Sequence, residues 1–278
     1  MAPLAAKGPV LVHFFDFSQL NSVRTLPYLN EWQQRYEPLG LRIIGVQAPR
    51  FTFGADPEAV RTGVERLGVR FPVVIDDQRA LWNSYGCEGW PSLFLWGRGG
   101  RLKWFQFGEG EYRSTEEAIQ AALAGPPDRC SSEEPEQAAA DEVATGVESS
   151  NGSGPSKPAM PELMAPLRAT DVEGVKVVAP GTELMPAGDR PWTIAEDGDF
   201  LDVTYEAGGV HATMSGTGSI AFRSDGEVTG LIELDGPGLY SLAEHDRHGQ
   251  HRIEIRLVEG TEAPPELWSL SFSPAVAD

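Results

Sequence analysis

Two cysteines, Cys87 and Cys130, are the only thiols with which this chain could carry out disulfide chemistry. Their spacing matches no metal-binding motif, and two cysteines in 278 residues do not make a disulfide framework. Cys130 lies in a polar stretch. Cys87 lies four positions before Pro91, and we expect it to be a small, partly buried apolar residue. The alternative is a lone reactive thiol, which requires a lowered pKa.

Three histidines stand three residues apart in the segment EHDRHGQH, namely His245, His248 and His251. Three imidazoles suit zinc or another transition metal. The segment contains Gly249 and lies between two predicted strands, so we predict a hairpin loop there and no metal site. His13, inside another predicted strand, is expected to be a core or edge histidine with its hydrogen bonds satisfied.

The C-terminal part has residues that could bind two further classes of ligand, calcium and sugars. The acidic turn from Glu196 to Asp199 could supply oxygen ligands to calcium, although there is no EF-hand pattern and an ordinary charged turn is the alternative. Aromatic side chains could stack on sugar rings, but they fall within strand patterns, where a core position is the other interpretation. The aromatic candidates are Trp192, Tyr205, Tyr240 and Trp268.

The elements that must position these residues alternate between strand and helix over the first 125 residues. The predicted strands are Val10–Phe15, Leu41–Val46, Phe71–Ile75, Ser92–Trp96 and Leu102–Phe107. The predicted helices are Asn21–Tyr36, Pro57–Leu67 with Asp56 as N-cap, Gln78–Tyr85, and Thr115–Leu123 with Ser114 or Thr115 as N-cap. This order predicts a mostly parallel sheet that ends in one antiparallel hairpin, with helices on both faces.

Composition divides the rest of the chain into two parts. Residues 126–165 are rich in Pro, Ser, Glu, Ala and Gly, and we predict a flexible acidic linker. Residues 166–278 show short strands between turn signals, which is typical of an antiparallel sandwich. The predicted strands are Val175–Val178, Trp192–Ala195, Phe200–Tyr205, Gly209–Met214, Ser219–Arg223, Gly230–Leu234, Gly238–Leu242, Arg252–Leu257 and Leu267–Phe272. The domains are therefore predicted as 1–125, 126–165 and 166–278.

The segment from Val10 to Leu29 resembles the thioredoxin-like domain of the TlpA/DipZ group. That group has a motif of the form Phe/Tyr-Ser-Cys-Ile-Asn-Cys-x-Arg-Thr-Leu-Pro-Tyr-Leu. The matching positions are Phe17, Ser18, Asn21, Arg24, Thr25, Leu26, Pro27, Tyr28 and Leu29. Trp90-Pro91 matches the loop whose cis-proline faces the redox site, and Gly108–Tyr112 matches a Gly-Glu-Gly-Asp/Glu-Tyr block. The resemblance implies a thioredoxin fold.

The resemblance extends to the C-terminal part, more loosely. Trp192, the sequence Gly238-Leu239-Tyr240 and the strand Arg252–Leu257 are similar to the carbohydrate-binding-module-like tail of DipZ-type proteins. The fold class is thus an α/β thioredoxin fold joined by a flexible linker to an all-β antiparallel sandwich.

The sequence departs from the family pattern at the two positions that would carry out thiol-disulfide exchange. Gln19 and Ser22 stand at the two cysteine positions. Gln19 has no ionisable nucleophile, and the pKa of a serine hydroxyl lies far above physiological pH. Exchange by the usual two-cysteine route is therefore excluded, no residue is predicted to be catalytic, and no cofactor is implied.

The whole negative charge of the chain lies after residue 125. Residues 1–125 hold 13 basic and 13 acidic side chains, whereas the full chain has a formal net charge of −19. Such an excess argues against nucleic acid as a partner. The sequence has neither an apolar run long enough for a membrane span nor a signal-peptide layout, so we expect a cytoplasmic protein, or an extracytoplasmic one if a signal or membrane segment precedes it.

These observations predict a redox-inactive binding or scaffold protein. The degenerate positions are Gln19, Ser22 and Pro91, and a retained groove or thiol would involve Phe17, Arg24, Cys87 and Trp90. The expected partner is a protein or peptide. The alternatives are thiol chemistry through Cys87, and binding of a glycan or calcium by the sandwich.

Overall fold

The computed structural model describes residues 8–125, 162–164, 176–178, 191–193, 200–257 and 265–274. Most of the predicted linker and the acidic turn at 196–199 lie outside the described residues. Residues 162–164 fall inside the range predicted as linker, yet they form a strand paired with the last strand of the chain. This short segment thus adds an edge strand to the second sheet.

The first sheet has five strands in the order β3-β2-β1-β4-β5. Pairing is parallel between β1 and β2 and between β2 and β3, and antiparallel between β1 and β4 and between β4 and β5. The strands are β1 (Val10–Phe15), β2 (Arg42–Gln47), β3 (Val73–Ile75), β4 (Ser92–Trp96) and β5 (Leu102–Phe107). The parallel sheet with one terminal hairpin is the predicted architecture, and with its helices it is a thioredoxin fold.

Four α-helices accompany this sheet among the described residues: α1 (Leu20–Tyr36), α2 (Pro57–Arg66), α3 (Ala80–Ser84) and α4 (Tyr112–Ala124), with short 3₁₀ turns at Glu37–Leu39 and Thr52–Ala55. Asp56 caps α2 as predicted, since its side chain accepts from the Glu58 N–H. The cap predicted for α4 is wrong: the N-cap residue is Glu111, in the left-handed conformation. Ser114 and Thr115 cannot serve there, because the helix already begins at Tyr112 and both residues lie inside it.

The central strand β1 has apolar side chains on both faces, which explains its continuous apolar sequence. Leu11 and Phe15 pack with α1, α2 and α4 in one core cluster, whereas Val10, Val12 and Phe14 belong to a second cluster on the other face. Both faces of β1 are thus packed in the core, and the loop after β1 begins from this buried strand.

The second sheet contains eight strands, and every pairing described within it is antiparallel. The strands are β6 (Glu162–Met164), β7 (Lys176–Val178), β8 (Trp192–Thr193), β9 (Phe200–Ser215), β10 (Thr217–Ser224), β11 (Glu227–Asp235), β12 (Gly238–Leu257) and β13 (Glu266–Ser273). One half of β9 pairs with β7 and the other half with β13, while β12 accompanies both halves. The two long strands therefore carry one continuous sheet through both layers of a β-sandwich.

Two pairs of predicted strands are single strands in the structure. The predictions for Phe200–Tyr205 and Gly209–Met214 merge into β9, and those for Gly238–Leu242 and Arg252–Leu257 merge into β12. The hairpin loop predicted for the histidine segment is wrong, since β12 passes through it with a register shift between Glu244 and Gly249. A bulge absorbs the extra residues there, and the flanking apolar residues stay in one core.

Within the described ranges, no helix is both long enough and apolar enough to cross a membrane.

Candidate functional site at the loop after the first strand

The loop between β1 and α1 carries the two positions where the family motif has cysteines. Gln19 is the N-cap residue of α1, and its side-chain oxygen Oε1 accepts from the Ser22 N–H at 2.7 Å. Ser22 is fully buried, and its hydroxyl oxygen accepts from the Asp16 N–H at 3.3 Å. Both side chains thus accept from backbone donors. Gln19 satisfies an N–H group in the first turn of α1, which is where unpaired N–H groups accumulate, and Ser22 satisfies the N–H of Asp16 in the preceding loop.

The same loop is held by a buried carboxylate. Asp16 accepts from the N–H and the hydroxyl of Ser18, at 2.8 and 2.5 Å, and from the Arg50 N–H at 2.8 Å. Asp16 and Ser18 are both fully buried. The polar atoms of this loop are therefore paired with one another rather than presented to a substrate.

Phe17 is a core residue and does not line a groove, contrary to the prediction. It is fully buried, and its N–H donates to Gln47 Oε1 at 3.0 Å. Its ring lies so close to Gly63 in α2 that an added Cβ there would be 2.5 Å from the ring. The missing side chain at Gly63 is what lets the helix approach Phe17.

The Trp90–Pro91 peptide bond is cis, and Pro91 is buried. Trp90 is half-buried: its indole N–H donates to the Ala48 carbonyl at 2.8 Å and its ring stacks on Trp82 at 4.3 Å. The guanidinium of Arg79 lies 5.2 Å from the same ring. Trp90 is therefore fixed on both faces by the domain's own side chains.

Cys87 is half-buried and packs against the cluster beside Phe14 and Trp82. Burial raises the pKa of its thiol to about 11, a trend that a hydrogen bond with Ser92 only partly offsets and that the charge of Asp76 reinforces. A reactive thiol needs the opposite shift. The environment of Cys87 matches the expected small apolar residue and disfavours the lone-thiol alternative.

Two sequence blocks that match the family motif lie against each other. Arg24 Nε is 3.1 Å from the Glu109 carboxylate, and the rings of Tyr28 and Tyr112 stack with centroids 3.6 Å apart. Arg24, predicted as a groove residue, thus pairs with the Gly-Glu-Gly block. These contacts tie α1 to the beginning of α4.

The sandwich touches the loop directly, a feature that the sequence did not predict. The Thr213 hydroxyl donates to the Ser18 carbonyl oxygen at 2.7 Å. Next to it, a register shift in β13 between Leu267 and Ser269 leaves Trp268 outside the ladder, with its ring 5.1 Å from that of Phe51. A bulge commonly redirects a side chain in this way. Thr213 thus contacts the loop at Ser18, and Trp268 contacts the neighbouring segment at Phe51. Gln19, the next residue of the loop, is only 7% exposed.

A third contact lies at the end of α2. The Arg66 guanidinium donates to the Pro237 carbonyl at 2.8 Å, pairs with Asp235 and lies over the ring of Tyr240. Tyr240 and Trp268, two of the aromatic candidates for sugar stacking, are therefore engaged inside the chain. Tyr205 is fully buried, and the side chain of Trp192 lies outside the described residues.

Comparisons with known proteins agree with this topology. The chain is 26% identical to Protein DipZ of Mycobacterium tuberculosis over 281 residues, covering 91% of this chain and 38% of that protein. It is 25% identical to the thiol-disulfide oxidoreductase YkuV of Bacillus subtilis over 121 residues, covering 44% of this chain and 81% of that protein. The chain thus spans well under half the length of DipZ.

Among solved structures, a thiol-disulfide isomerase from Corynebacterium glutamicum is 22% identical and has a TM-score of 0.40, covering 45% of this chain and 87% of the other. No protein-family model matches the chain. The alignment to DipZ covers 91% of this chain and so includes residues of both the α/β part and the sandwich. The chain is thus similar in sequence to DipZ and to thiol-disulfide oxidoreductases, and its first domain has a thioredoxin fold.

Proposed function

We propose that this chain is a redox-inactive scaffold in which the thioredoxin-like domain holds and orients the β-sandwich. One observation carries the proposal: the side chains at the two cysteine positions accept hydrogen bonds from the chain's own backbone, and Thr213 of the sandwich bonds to the loop that bears Gln19. Thiol exchange needs an accessible thiolate at the first position and a second thiol to resolve the mixed disulfide. Gln19 and Ser22 offer neither.

Because the loop between β1 and α1 is buried, a partner has to bind a different surface of the chain. A peptide groove beside Pro91, as the sequence predicted, would need the loop at Ser18 and Gln19 to be open, but both residues are buried and Thr213 of the sandwich bonds to Ser18. We propose that a protein or peptide ligand binds the sandwich, which the first domain keeps in a fixed orientation. A sugar platform is not part of the proposal, because Tyr205, Tyr240 and Trp268 are engaged within the chain.

The domain division at 1–125, 126–165 and 166–278 is part of this proposal, with the linker shortened at its end by β6. Limited proteolysis tests it. Cleavage is expected between residues 126 and 161, and the two fragments are expected to co-elute on gel filtration because the Thr213, Trp268 and Arg66 contacts hold them together. Separate elution of the fragments would contradict a fixed orientation.

An insulin-reduction assay tests the loss of exchange activity. The wild-type chain and the Cys87→Ser variant are compared with a redox-active thioredoxin at equal concentration. We expect both to stay at the background rate of the dithiothreitol control. Turnover by the wild type that Cys87→Ser abolishes would refute redox inactivity and restore the lone-thiol alternative. The cytoplasmic location expected from the sequence is likewise a proposal, which fractionation of cells making the full-length protein tests.

A further inference from the structure

The bulge in β12 brings His245 and His251 together at the corner of the sandwich. Their rings are stacked, with centroids 3.4 Å apart and planes inclined by 3°. Asp225, in the turn between β10 and β11, reaches the same point, and its Oδ2 lies 2.8 Å from Nδ1 of His251. His248 does not join them: it is exposed and lies 3.9 Å from Glu206.

The three side chains provide donors at a spacing that one ion can bridge. Each of Asp225, His245 and His251 offers one ligand atom, and these atoms all lie within 4.8 Å of one another. An ion at the centre of a triangle of that size is at most about 2.8 Å from each donor, so small side-chain rotations reach the usual zinc distances of about 2.0–2.2 Å. Because imidazole lone pairs lie in the ring plane, the two rings must tilt out of their stack to share an ion.

Each donor is oriented by another group, as metal ligands generally are. Asp225 is anchored by Arg252, whose N–H donates to Oδ1 at 2.8 Å and whose carbonyl accepts from the Asp225 N–H at 2.8 Å. His245 is held through Nε2, which lies 2.8 Å from the hydroxyl of the buried Tyr205. Asp225 and His245 are therefore each held by a neighbouring group.

One feature of His251 lacks a structural reason in the fold alone. Its Nε2 atom is buried and has no hydrogen-bond partner within the part of the chain that the structure describes, and such an atom costs free energy. Imidazole nitrogens are common ligands of zinc.

We propose that Asp225, His245 and His251 form a binding site for a divalent transition-metal ion such as zinc. Two imidazoles and one carboxylate are a nitrogen-rich donor set that favours zinc and its neighbours over calcium. Asp225 is about half exposed, its side chain being 49% accessible, so solvent reaches the position where a fourth ligand would bind. The site belongs to the sandwich and is independent of the proposed redox inactivity.

Calorimetric titration of zinc sulfate into the chelator-treated full-length chain tests this site. The background is Cys87→Ser/Cys130→Ser, which removes thiols as zinc ligands. We expect one zinc per chain, affinity lowered at least about tenfold by His245→Ala, His251→Ala or Asp225→Asn, and nearly unchanged affinity in His248→Ala. Calcium is expected to give no heat of binding.

The matched variant His248→Ala removes an imidazole from the same segment without touching the proposed ligands. Thermal unfolding in the absence of metal shows which variants remain folded, and Asp225→Asn, the mildest change, keeps the test valid if a histidine variant unfolds. Titration with cobalt gives a second readout through visible absorption of the bound ion. Zinc affinity weaker than about 100 μM, or an equal loss in His248→Ala, would overturn the proposal.

Discussion

The Thr213 hydroxyl donates a hydrogen bond of 2.7 Å to the carbonyl oxygen of Ser18, the residue directly before the first cysteine position of the family motif. Both residues are fully buried. The contact joins the sandwich to the loop at which redox-active relatives would present a thiolate. Removing single side chains at this contact therefore tests whether the sandwich covers the loop.

Replacing Thr213 by Val removes the hydroxyl and keeps the shape of the side chain. The Ser18 carbonyl then loses its partner in a buried place, and we expect the free energy of unfolding to fall by about 1–3 kcal/mol. Chemical denaturation measures this loss. Thr217→Val, at an exposed position of β10, is the control and should change stability by less than about 0.5 kcal/mol. An equal effect of the two variants would contradict a specific contact.

A cysteine placed at position 19 reports whether the sandwich covers the loop. In a Cys87→Ser/Cys130→Ser background, Gln19→Cys should react with a maleimide at least about tenfold more slowly than Ser84→Cys, which lies on an exposed turn of α3. Adding Trp268→Ala to Gln19→Cys should accelerate labelling, because the ring packed on Phe51 is lost. Labelling of Gln19→Cys at the rate of Ser84→Cys would show that the loop is open.

Removing the side-chain cap at the start of α1 should lower the free energy of unfolding. Gln19→Ala leaves the Ser22 N–H without its 2.7 Å partner, and we expect a loss of about 1 kcal/mol. Gln19→Asn, which keeps a side-chain acceptor, should recover most of it. Gln34→Ala, at an exposed position of the same helix, should be nearly neutral, and a comparable loss there would show that helix propensity rather than capping is responsible.

Cys87 should be a slow thiol. With its pKa raised to about 11 by burial, little thiolate exists at neutral pH, and alkylation by iodoacetamide at pH 7.5 should be at least about tenfold slower than that of glutathione. The Cys130→Ser background assigns the signal to Cys87. The rate should keep increasing with pH beyond 9, and a plateau below pH 8 would contradict the raised pKa.

His13 should make the fold sensitive to acid. Burial lowers its pKa to about 3 from 6.5, so the unfolded chain binds a proton that the folded chain excludes. Its contribution to the free energy of unfolding is therefore complete above pH 6.5 and is lost by about 1.4 kcal/mol per pH unit between about pH 6 and 4. His13→Leu should flatten this slope in denaturation curves, whereas the exposed His248→Ala should not.

Local patterns predicted the first domain well. The apolar run of β1, the glycine turn between β4 and β5, and the sequence Asp56-Pro57 each act within a few residues, and each is confirmed by the structure. His13 was correctly expected in the core, but both of its ring nitrogens are buried without a partner among the described residues, because its neighbours in space are the rings of Phe15 and Phe71. Composition alone does not reveal such an environment.

The candidate site was only half predictable. Gln19 and Ser22 were found because the motif around them is intact, but the hydrogen bonds that their side chains accept, Gln19 as the N-cap of α1 and Ser22 from the Asp16 N–H, depend on side-chain rotamers. The contact between Thr213 and Ser18 joins residues far apart in sequence, neither of which is unusual in its own strand or loop. The cluster of Asp225 with two histidines depends on a bulge, and a bulge leaves no clear signal in the pattern of apolar residues.

The capping role of Gln19 has a consequence for protein engineering. Because the acceptor at this position contributes to the stability of α1, a single change to cysteine brings no resolving thiol and removes the cap. A pair of cysteines at positions 19 and 22 would therefore come at the expense of two hydrogen bonds that the side chains there now accept from the backbone. Any attempt to install a redox site in this loop has to supply a substitute for the helix cap together with the two thiols.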